Sequence, residues 1–72
     1  MISSKSATFE VLRTMQPGTE FSSGSLRQMV YERCFEWHLI ATYIRYLREF
    51  REREGRIITC INKRRSLYRI IT

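Results

Sequence analysis

The second half of this chain combines a long helical pattern, a glycine and two strand-like runs in a fixed order. Apolar side chains recur at helical spacing over residues 37–54, and Gly55 follows where a helix can end in a left-handed residue. Residues 56–61 and 66–71 have the length and the β-branched content of strands, with a polar turn between them. The order predicts a β-hairpin that directly follows the longest helix.

The turn of this hairpin sets the predicted pairing of its strands. A turn centred on Lys63 and Arg64 would place Ile61 opposite Ser66. That register gathers an apolar set on one buried face, namely Ile57, Thr59, Ile61, Tyr68 and Ile70. The opposite face is expected to stay partly exposed, and it carries Ile58, Cys60 and Leu67.

The first half of the chain predicts a helix and a short strand. Phe9, Leu12 and Met15 recur at helical spacing over residues 4–15, and Pro17 with Gly18 can end that helix. Residues 19–22 form a short extended run, too brief for a sheet of its own. We expect this run to add an edge strand to the hairpin.

A second helix is expected to begin near Ser25. Ser25 and Gln28 have the spacing of a capping box, in which two side chains satisfy free amides at a helix start. The buried stripe of this helix would consist of Leu26, Met29 and Val30.

The boundary between the second and third helices carries no local signal. Residues 33–36 contain neither Gly nor Pro, and no residue there caps a following helix. We infer a turn at residues 34–36, and one continuous helix over residues 25–54 stays open as an alternative. A third helix that starts at Trp37 with Ile40 inward would bury Tyr43, Ile44, Leu47 and Phe50. Its outer face would carry His38, Thr42, Arg45 and Glu49.

Positive charge is concentrated in the second half. Residues 1–37 hold four cations and four glutamates, whereas residues 38–72 hold nine cations and three glutamates, so the whole net charge of +6 lies there. Eight of those nine cations are arginine, whose planar guanidinium pairs with phosphates and guanine edges. Lys63, Arg64 and Arg65 repel one another at the hairpin tip. This asymmetry indicates a polyanionic partner.

The order helix, short strand, helix, turn, helix, glycine, strand, basic turn, strand resembles the winged helix-turn-helix DNA-binding domains of small bacterial and phage regulators. The resemblance covers nearly the whole chain and is sharpest over residues 40–57, where a helix passes through Gly55 into the hairpin. It implies one α+β domain over residues 1–72, a winged helix of three helices and a C-terminal β-hairpin wing. It also allows a short third strand near Phe21.

The resemblance further implies which residues contact DNA. The outer face of the third helix would enter the major groove, with His38, Thr42 and Arg45 as base-reading residues. The DNA backbone would be held by Ser25, Arg27, Arg48, Lys63, Arg64 and Arg65.

The leading hypothesis is a small sequence-preferring protein that binds double-stranded DNA, as a transcriptional regulator or a recombination accessory factor. One short unit covers little DNA, so a dimer or cooperative binding is expected, with Tyr31, Ile58 or Leu67 as exposed contacts. The chain shows neither a secretory signal nor a bilayer-spanning stretch. A cytoplasmic protein is therefore expected, nucleoid-associated when bound.

Two alternatives stay open. One is a winged helix of phage type that captures a host protein through an exposed apolar face of the hairpin, because a fold does not settle a function. The other is a helical oligomer built on a continuous helix over residues 25–54. Catalysis is not expected, because the chain has one histidine and no aspartate. Cys34, His38 and Cys60 lack zinc-site spacing, so we expect buried thiols and no metal, cofactor, membrane or small-molecule partner.

Overall fold

Three helices and a three-stranded antiparallel sheet make up the computed structural model, which describes residues 2–72. The elements follow the chain as α1 (Ser4–Thr14), β1 (Glu20–Ser22), α2 (Ser23–Cys34), α3 (Ile40–Glu54), β2 (Ile58–Asn62) and β3 (Leu67–Ile70). β3 lies in the centre of the sheet and pairs with both β1 and β2. The predicted α+β class is confirmed, including the hairpin and the short third strand near Phe21.

The three helices and one face of the sheet share a single apolar core. Phe9 of α1 and Phe50 of α3 meet edge to face with ring centroids 5.3 Å apart, and Phe21 stacks on Tyr68 across the β1–β3 pair at 5.7 Å. The remaining buried apolar residues come from every helix and from both hairpin strands: Ala7, Val11, Leu12, Leu26, Val30, Cys34, Tyr43, Leu47, Ile58 and Ile70.

Helix α2 begins two residues earlier than predicted, so the capping box that we placed at Ser25 and Gln28 is wrong. Ser22 is the N-cap, its hydroxyl accepts a hydrogen bond from the Ser25 amide (3.0 Å), and the Ser25 hydroxyl accepts one from the Ser22 amide (3.0 Å). Ser22 also ends strand β1, and its extended backbone is the conformation that an N-cap needs. The strand therefore passes into the helix without an intervening loop.

A five-residue connection separates α2 from α3, and the alternative of one continuous helix over residues 25–54 is wrong. Phe35 ends α2 in the left-handed conformation (φ 57°), and its amide donates to the Tyr31 carbonyl (2.8 Å). Helix α3 starts at Ile40 rather than at Trp37, with Leu39 as an N-cap that makes no side-chain cap hydrogen bond. The chain folds back because the apolar stripes of α2 and α3 are then buried in one core.

The hairpin register differs by one residue from the prediction. Ile58 lies opposite Ile70 and Cys60 opposite Tyr68, and a bulge follows Cys60. A four-residue turn with Ser66 at φ 52° replaces the expected two-residue turn. A one-residue slip exchanges the two faces of a strand, so Ile58 is buried, whereas Ile57 before the strand and Thr59 and Ile61 within it are exposed. Cys60 shares the face of Ile58 but lies next to the bulge and is exposed. Cys60 is thus not the buried thiol that we expected, although Cys34 is.

Gly55 ends α3 as predicted, in the left-handed conformation (φ 73°). No heavy atom lies within 4 Å of a Cβ built there, so the cost of Gly55→Ala comes from the backbone alone. We expect this substitution to lower the free energy of unfolding by about 1 kcal/mol and the melting temperature by about 4–8 °C. Thermal unfolding followed by circular dichroism measures both.

The matched control is Gly24→Ala, because Gly24 lies inside the first turn of α2 and a Cβ there meets only the Ser22 hydroxyl at 3.8 Å. Alanine has fewer conformations than glycine in the unfolded chain and adopts the helical conformation without strain. This change is therefore expected to be neutral or to stabilise the fold by about 0.5 kcal/mol. Equal melting temperatures for the two variants would contradict the role given to Gly55.

Candidate nucleic-acid interface

Within residues 2–72, five of the thirteen lysines and arginines form ion pairs with four glutamates. These ion pairs join Lys5 and Arg53 to Glu49, Arg13 to Glu54, Arg33 to Glu10, and Arg69 to Glu20. The hydrogen bond from Arg13 lowers the pKa of the Glu54 carboxyl, as expected for an acid that gains a cationic donor. Each of these five cations already has a carboxylate partner, so it is less available to an external anion than an unpaired cation is.

Three more arginines bind backbone carbonyls and connect elements of the fold. Arg51 of α3 donates to the Ile58 carbonyl (2.9 Å), which ties the end of that helix to β2. Arg56 donates to the carbonyls of Leu12 (2.7 Å) and Thr72 (2.9 Å). The third, Arg27, donates to a carbonyl of the α2–α3 connection.

The remaining five cations are exposed and have no carboxylate partner among residues 2–72. They are Arg45, Arg48, Lys63, Arg64 and Arg65. All five lie in two places, the outer face of α3 and the hairpin turn. The cations whose side chains bind neither a carboxylate nor a backbone carbonyl of the described residues are therefore concentrated on these two features.

The outer face of α3 is defined by the residues opposite its buried stripe. Tyr43, Leu47 and Phe50 are buried, and Ile40 and Ile44 are only half-buried, so the predicted stripe was rotated toward these two isoleucines. With the observed stripe, the 100° step of the helix places an exposed row on the far side: Ala41, Arg45, Arg48 and Glu52. Thr42 lies at the flank of this row and is half-buried.

Arg48 and Ala41 therefore belong to the same surface as Arg45, which the sequence analysis did not recognise. We had assigned Arg48 to the DNA backbone and had not considered Ala41. The sequence signal that could have placed them there is the angular position of each residue around the helix. Centring the helical wheel on Tyr43, Leu47 and Phe50 instead of Ile40 moves Arg48 onto the outer face, beside Arg45 and Glu52 in its middle.

His38 is not on the outer face of α3, so its predicted placement is wrong. It precedes the helix, its Nε2 lies 3.3 Å from a Glu36 carboxylate oxygen, and its carbonyl accepts from Arg27 at 3.3 Å. The error arose because the sequence gives no cap between the two helices. The helix start was placed three residues too early, which put His38 into the first turn.

Arg27 is held by the α2–α3 connection rather than extended into solvent. Its guanidinium lies 4.2 Å from the centroid of the Trp37 ring, in cation–π contact, and it also donates to the His38 carbonyl. Ser25 is exposed in the first turn of α2, with its hydroxyl engaged in the capping box. Of these two predicted phosphate contacts, only Ser25 lies openly at the helix start.

The hairpin turn and the start of α2 are neighbours. Ser22 lies opposite Leu67 in the β1–β3 pair, and the Ser23 amide donates to the Ser66 carbonyl (3.0 Å). The turn is also fixed internally, since the Asn62 side-chain oxygen accepts from the Arg65 amide (3.1 Å). The structure thus brings the basic turn close to the amino end of α2, where Ser25 lies.

The chain was also compared with the features of metal sites, membrane-spanning helices and known proteins. Within residues 2–72, no cluster of three His, Cys, Asp or Glu side chains has the arrangement of a metal site. None of the helices in that part of the chain is both long and apolar enough to span a bilayer. Comparison with known protein families, curated proteins and solved structures finds no match to this chain.

Proposed function

We propose that this chain is a winged helix-turn-helix protein that binds double-stranded DNA with sequence preference, as a transcriptional regulator or a recombination accessory factor. The arrangement in support of this fold is α1, β1, α2, α3 and then a hairpin, with β1 on the outer side of β3. In this proposal α2 and α3 are the helix-turn-helix pair, and β2 and β3 with their basic turn are the wing.

One observation carries the proposal: among residues 2–72, the five cations that bind neither a carboxylate nor a backbone carbonyl lie on the outer face of α3 and on the hairpin turn. Like charges on one short turn repel one another and gain nothing from folding. A row of phosphates would neutralise them and release condensed counterions, which favours binding.

The outer face of α3 has side chains suited to reading base edges. A major groove about 12 Å wide admits one α-helix, and an arginine can donate two hydrogen bonds to O6 and N7 of a guanine. Arg45 and Arg48 are exposed on this face, and the small side chain of Ala41 precedes Arg45 by one turn. The short alanine would let the helix approach the bases closely while the arginines extend to them.

The hairpin turn and the start of α2 are suited to holding the DNA backbone. Lysine and arginine side chains form charge-assisted hydrogen bonds with phosphate oxygens, and the positive end of a helix dipole adds to this attraction. Because the Ser23 amide already binds the Ser66 carbonyl, the amino end of α2 and the turn with Lys63, Arg64 and Arg65 form one surface. Phosphate contacts there would fix the orientation of α3 on the duplex.

Fluorescence anisotropy with a labelled duplex of random sequence tests the proposal. With about three phosphate contacts from the hairpin turn, the affinity is expected to fall about 40-fold between 50 and 200 mM salt. A single strand of the same length is the control, and it is expected to bind more weakly. No binding at the lower salt, or binding that does not depend on salt, would overturn the proposal.

A second candidate function is the capture of another protein through the outer face of the hairpin. Ile57 and Ile71 are exposed there, side by side, with the Ile71 amide donating to the Ile57 carbonyl (2.8 Å). Arg69 and Glu20 form an ion pair at 2.6 Å on neighbouring strands. This face is thus less apolar than predicted. A chain that binds no DNA but binds another protein tightly through Ile57 and Ile71 would favour this candidate.

A further inference from the structure

Four large apolar side chains are exposed together around the α2–α3 connection. The exposed fractions are 38% for Tyr31, 68% for Phe35, 54% for Trp37 and 78% for Leu39. We refer to these four residues as the aromatic turn surface. Single exposed apolar residues are ordinary on protein surfaces, but here the Tyr31 ring contacts both Phe35 and Trp37, and Leu39 is exposed two residues later, so the four mark an apolar patch.

The aromatic turn surface is ordered before any partner binds. Tyr31 contacts both of its aromatic neighbours edge to face, with ring centroids 6.1 Å from Phe35 and 5.5 Å from Trp37. The Arg27 guanidinium lies over the Trp37 ring, 4.2 Å from its centroid, and also donates to the His38 carbonyl. Side chains fixed in this way lose little conformational entropy on binding.

The backbone of this surface is strained to present an aromatic ring. Phe35 has φ 57° and ψ 25°, a left-handed conformation that costs a residue with a Cβ roughly 1–2 kcal/mol and that glycine or asparagine adopts more readily. The ring gains little burial in return, because 68% of Phe35 is exposed. The left-handed residue serves the chain reversal between α2 and α3, and the same backbone leaves the Phe35 ring in solvent, where a partner can cover it.

We propose that a second copy of this chain covers the aromatic turn surface, in a two-fold symmetric dimer. A large apolar side chain presents on the order of 200 Å² when free, so the four residues expose roughly 500 Å² per chain. Two copies face to face would bury about 1,000 Å² in total, the lower limit for a specific interface. The dimer is therefore expected to be weak but specific.

The charges around the surface suit a second copy. Glu32, Arg33 and Glu36 are exposed beside the four apolar residues and carry both signs. Arg33 lies 4.0 Å from Glu10 and Glu36 lies 3.3 Å from His38, whereas Glu32 has no cation partner within residues 2–72. A two-fold contact lets Glu32 of one copy approach Arg33 of the other, which remains exposed beside Glu10. Of the three exposed contacts predicted for self-association, Ile58 is buried and Leu67 half-buried, so Tyr31 alone lies on a suitable surface.

Sedimentation equilibrium of the full chain without DNA tests the dimer. A weak dimer dissociates at low concentration and forms at high concentration. Between about 10 μM and about 1 mM, the average molecular mass should therefore rise from 8.7 kDa toward twice that value. The double variant F35N/L39S is expected to raise the dissociation constant at least about tenfold. Asn suits the left-handed position and Ser supplies the side-chain cap that Leu39 lacks, so the variant monomer should fold at least as well as the wild type.

The matched control is Ile57→Thr, which removes a side chain of similar exposure (55%) from the hairpin and should leave the dissociation constant unchanged. A wild type that stays at 8.7 kDa at about 1 mM, where even weak complexes form, would overturn the proposal. So would equal dimerisation by F35N/L39S, or loss of the dimer in Ile57→Thr. The measurement contains no DNA, so its outcome is independent of the proposed function. Only the further step, in which the two α3 helices of the dimer bind two DNA half-sites, rests on that function.

Discussion

Replacing Lys63, Arg64 and Arg65 together by alanine is expected to weaken binding to duplex DNA about 100-fold near physiological salt, by a similar factor for every sequence. All three side chains are exposed on the hairpin turn, and none pairs with a carboxylate of the described chain. Contacts with phosphates carry no sequence information, so the preferred DNA motif should not change.

The salt dependence of binding separates lost phosphate contacts from a general loss of structure. Each lysine or arginine that leaves a phosphate should reduce the slope of log affinity against log salt by about one, so the triple variant should lose about three. Anisotropy titrations at four or five salt concentrations give this slope. An unchanged slope would mean that the turn does not contact the backbone.

A variant with the same loss of charge provides the control. Lys5, Arg13 and Arg53 form ion pairs with carboxylates inside the molecule, and replacing them also removes three positive charges. If the turn contacts DNA directly, this second triple variant should lose less than about fivefold in affinity, since only the long-range field changes. Equal losses in the two variants would show that net charge alone governs binding.

Parts of the fold could be predicted because single residues specify them. Gly55 ends α3 since glycine adopts the left-handed conformation without a steric cost, and the β-branched runs on either side of the turn form the expected hairpin. Phe21 occupies the expected edge strand because the stacked ring of Tyr68 lies across from it. In each case the local preference and the tertiary structure agree.

The α2–α3 connection could not be predicted because its local preference opposes the structure. Phe35 ends α2 in a conformation that phenylalanine rarely adopts, and Leu39 begins α3 at a position where serine or aspartate is usual. Tertiary burial of the two helical stripes overrides these preferences. The same reason moved the start of α3 from Trp37 to Ile40 and removed His38 from the outer face.

The hairpin faces were mispredicted for a different reason. Side chains alternate between the two faces of a strand, so a shift of one residue in the pairing exchanges the faces. The side chain of Asn62 and the left-handed backbone of Ser66 lengthen the turn, and the bulge after Cys60 shifts the pairing by one residue. Neither Asn62 nor Ser66 is a strong signal for a bulge. The position of the turn residues does not depend on the register of the strands. Lys63, Arg64 and Arg65 therefore lie at the tip in either register.

The second large effect is expected at the outer face of α3. A bidentate contact between arginine and guanine discriminates against another base by about 1–3 kcal/mol, so Arg45→Ala and Arg48→Ala should each lower affinity for the preferred site about 5- to 150-fold. Selection of bound duplexes from a random pool, repeated with each variant, gives the motif. Each substitution should relax the motif at the position that its arginine reads.

Two further variants distinguish base reading from charge and from helix placement. Arg45→Lys keeps the charge but loses the planar pair of donors, so it should relax the motif nearly as much as alanine does. His38→Ala should leave the motif unchanged, because the imidazole lies before α3 and next to Glu36.

The result for Arg48 decides between its two assignments. If Arg48 contacts only the backbone, as first predicted, its loss weakens all sequences equally, whereas a guanine contact makes the loss sequence-specific. Its exposed position in line with Arg45 favours a guanine contact. A motif altered by His38→Ala, but not by Arg45→Ala or Arg48→Ala, would place the reading surface on the α2–α3 connection instead of on α3.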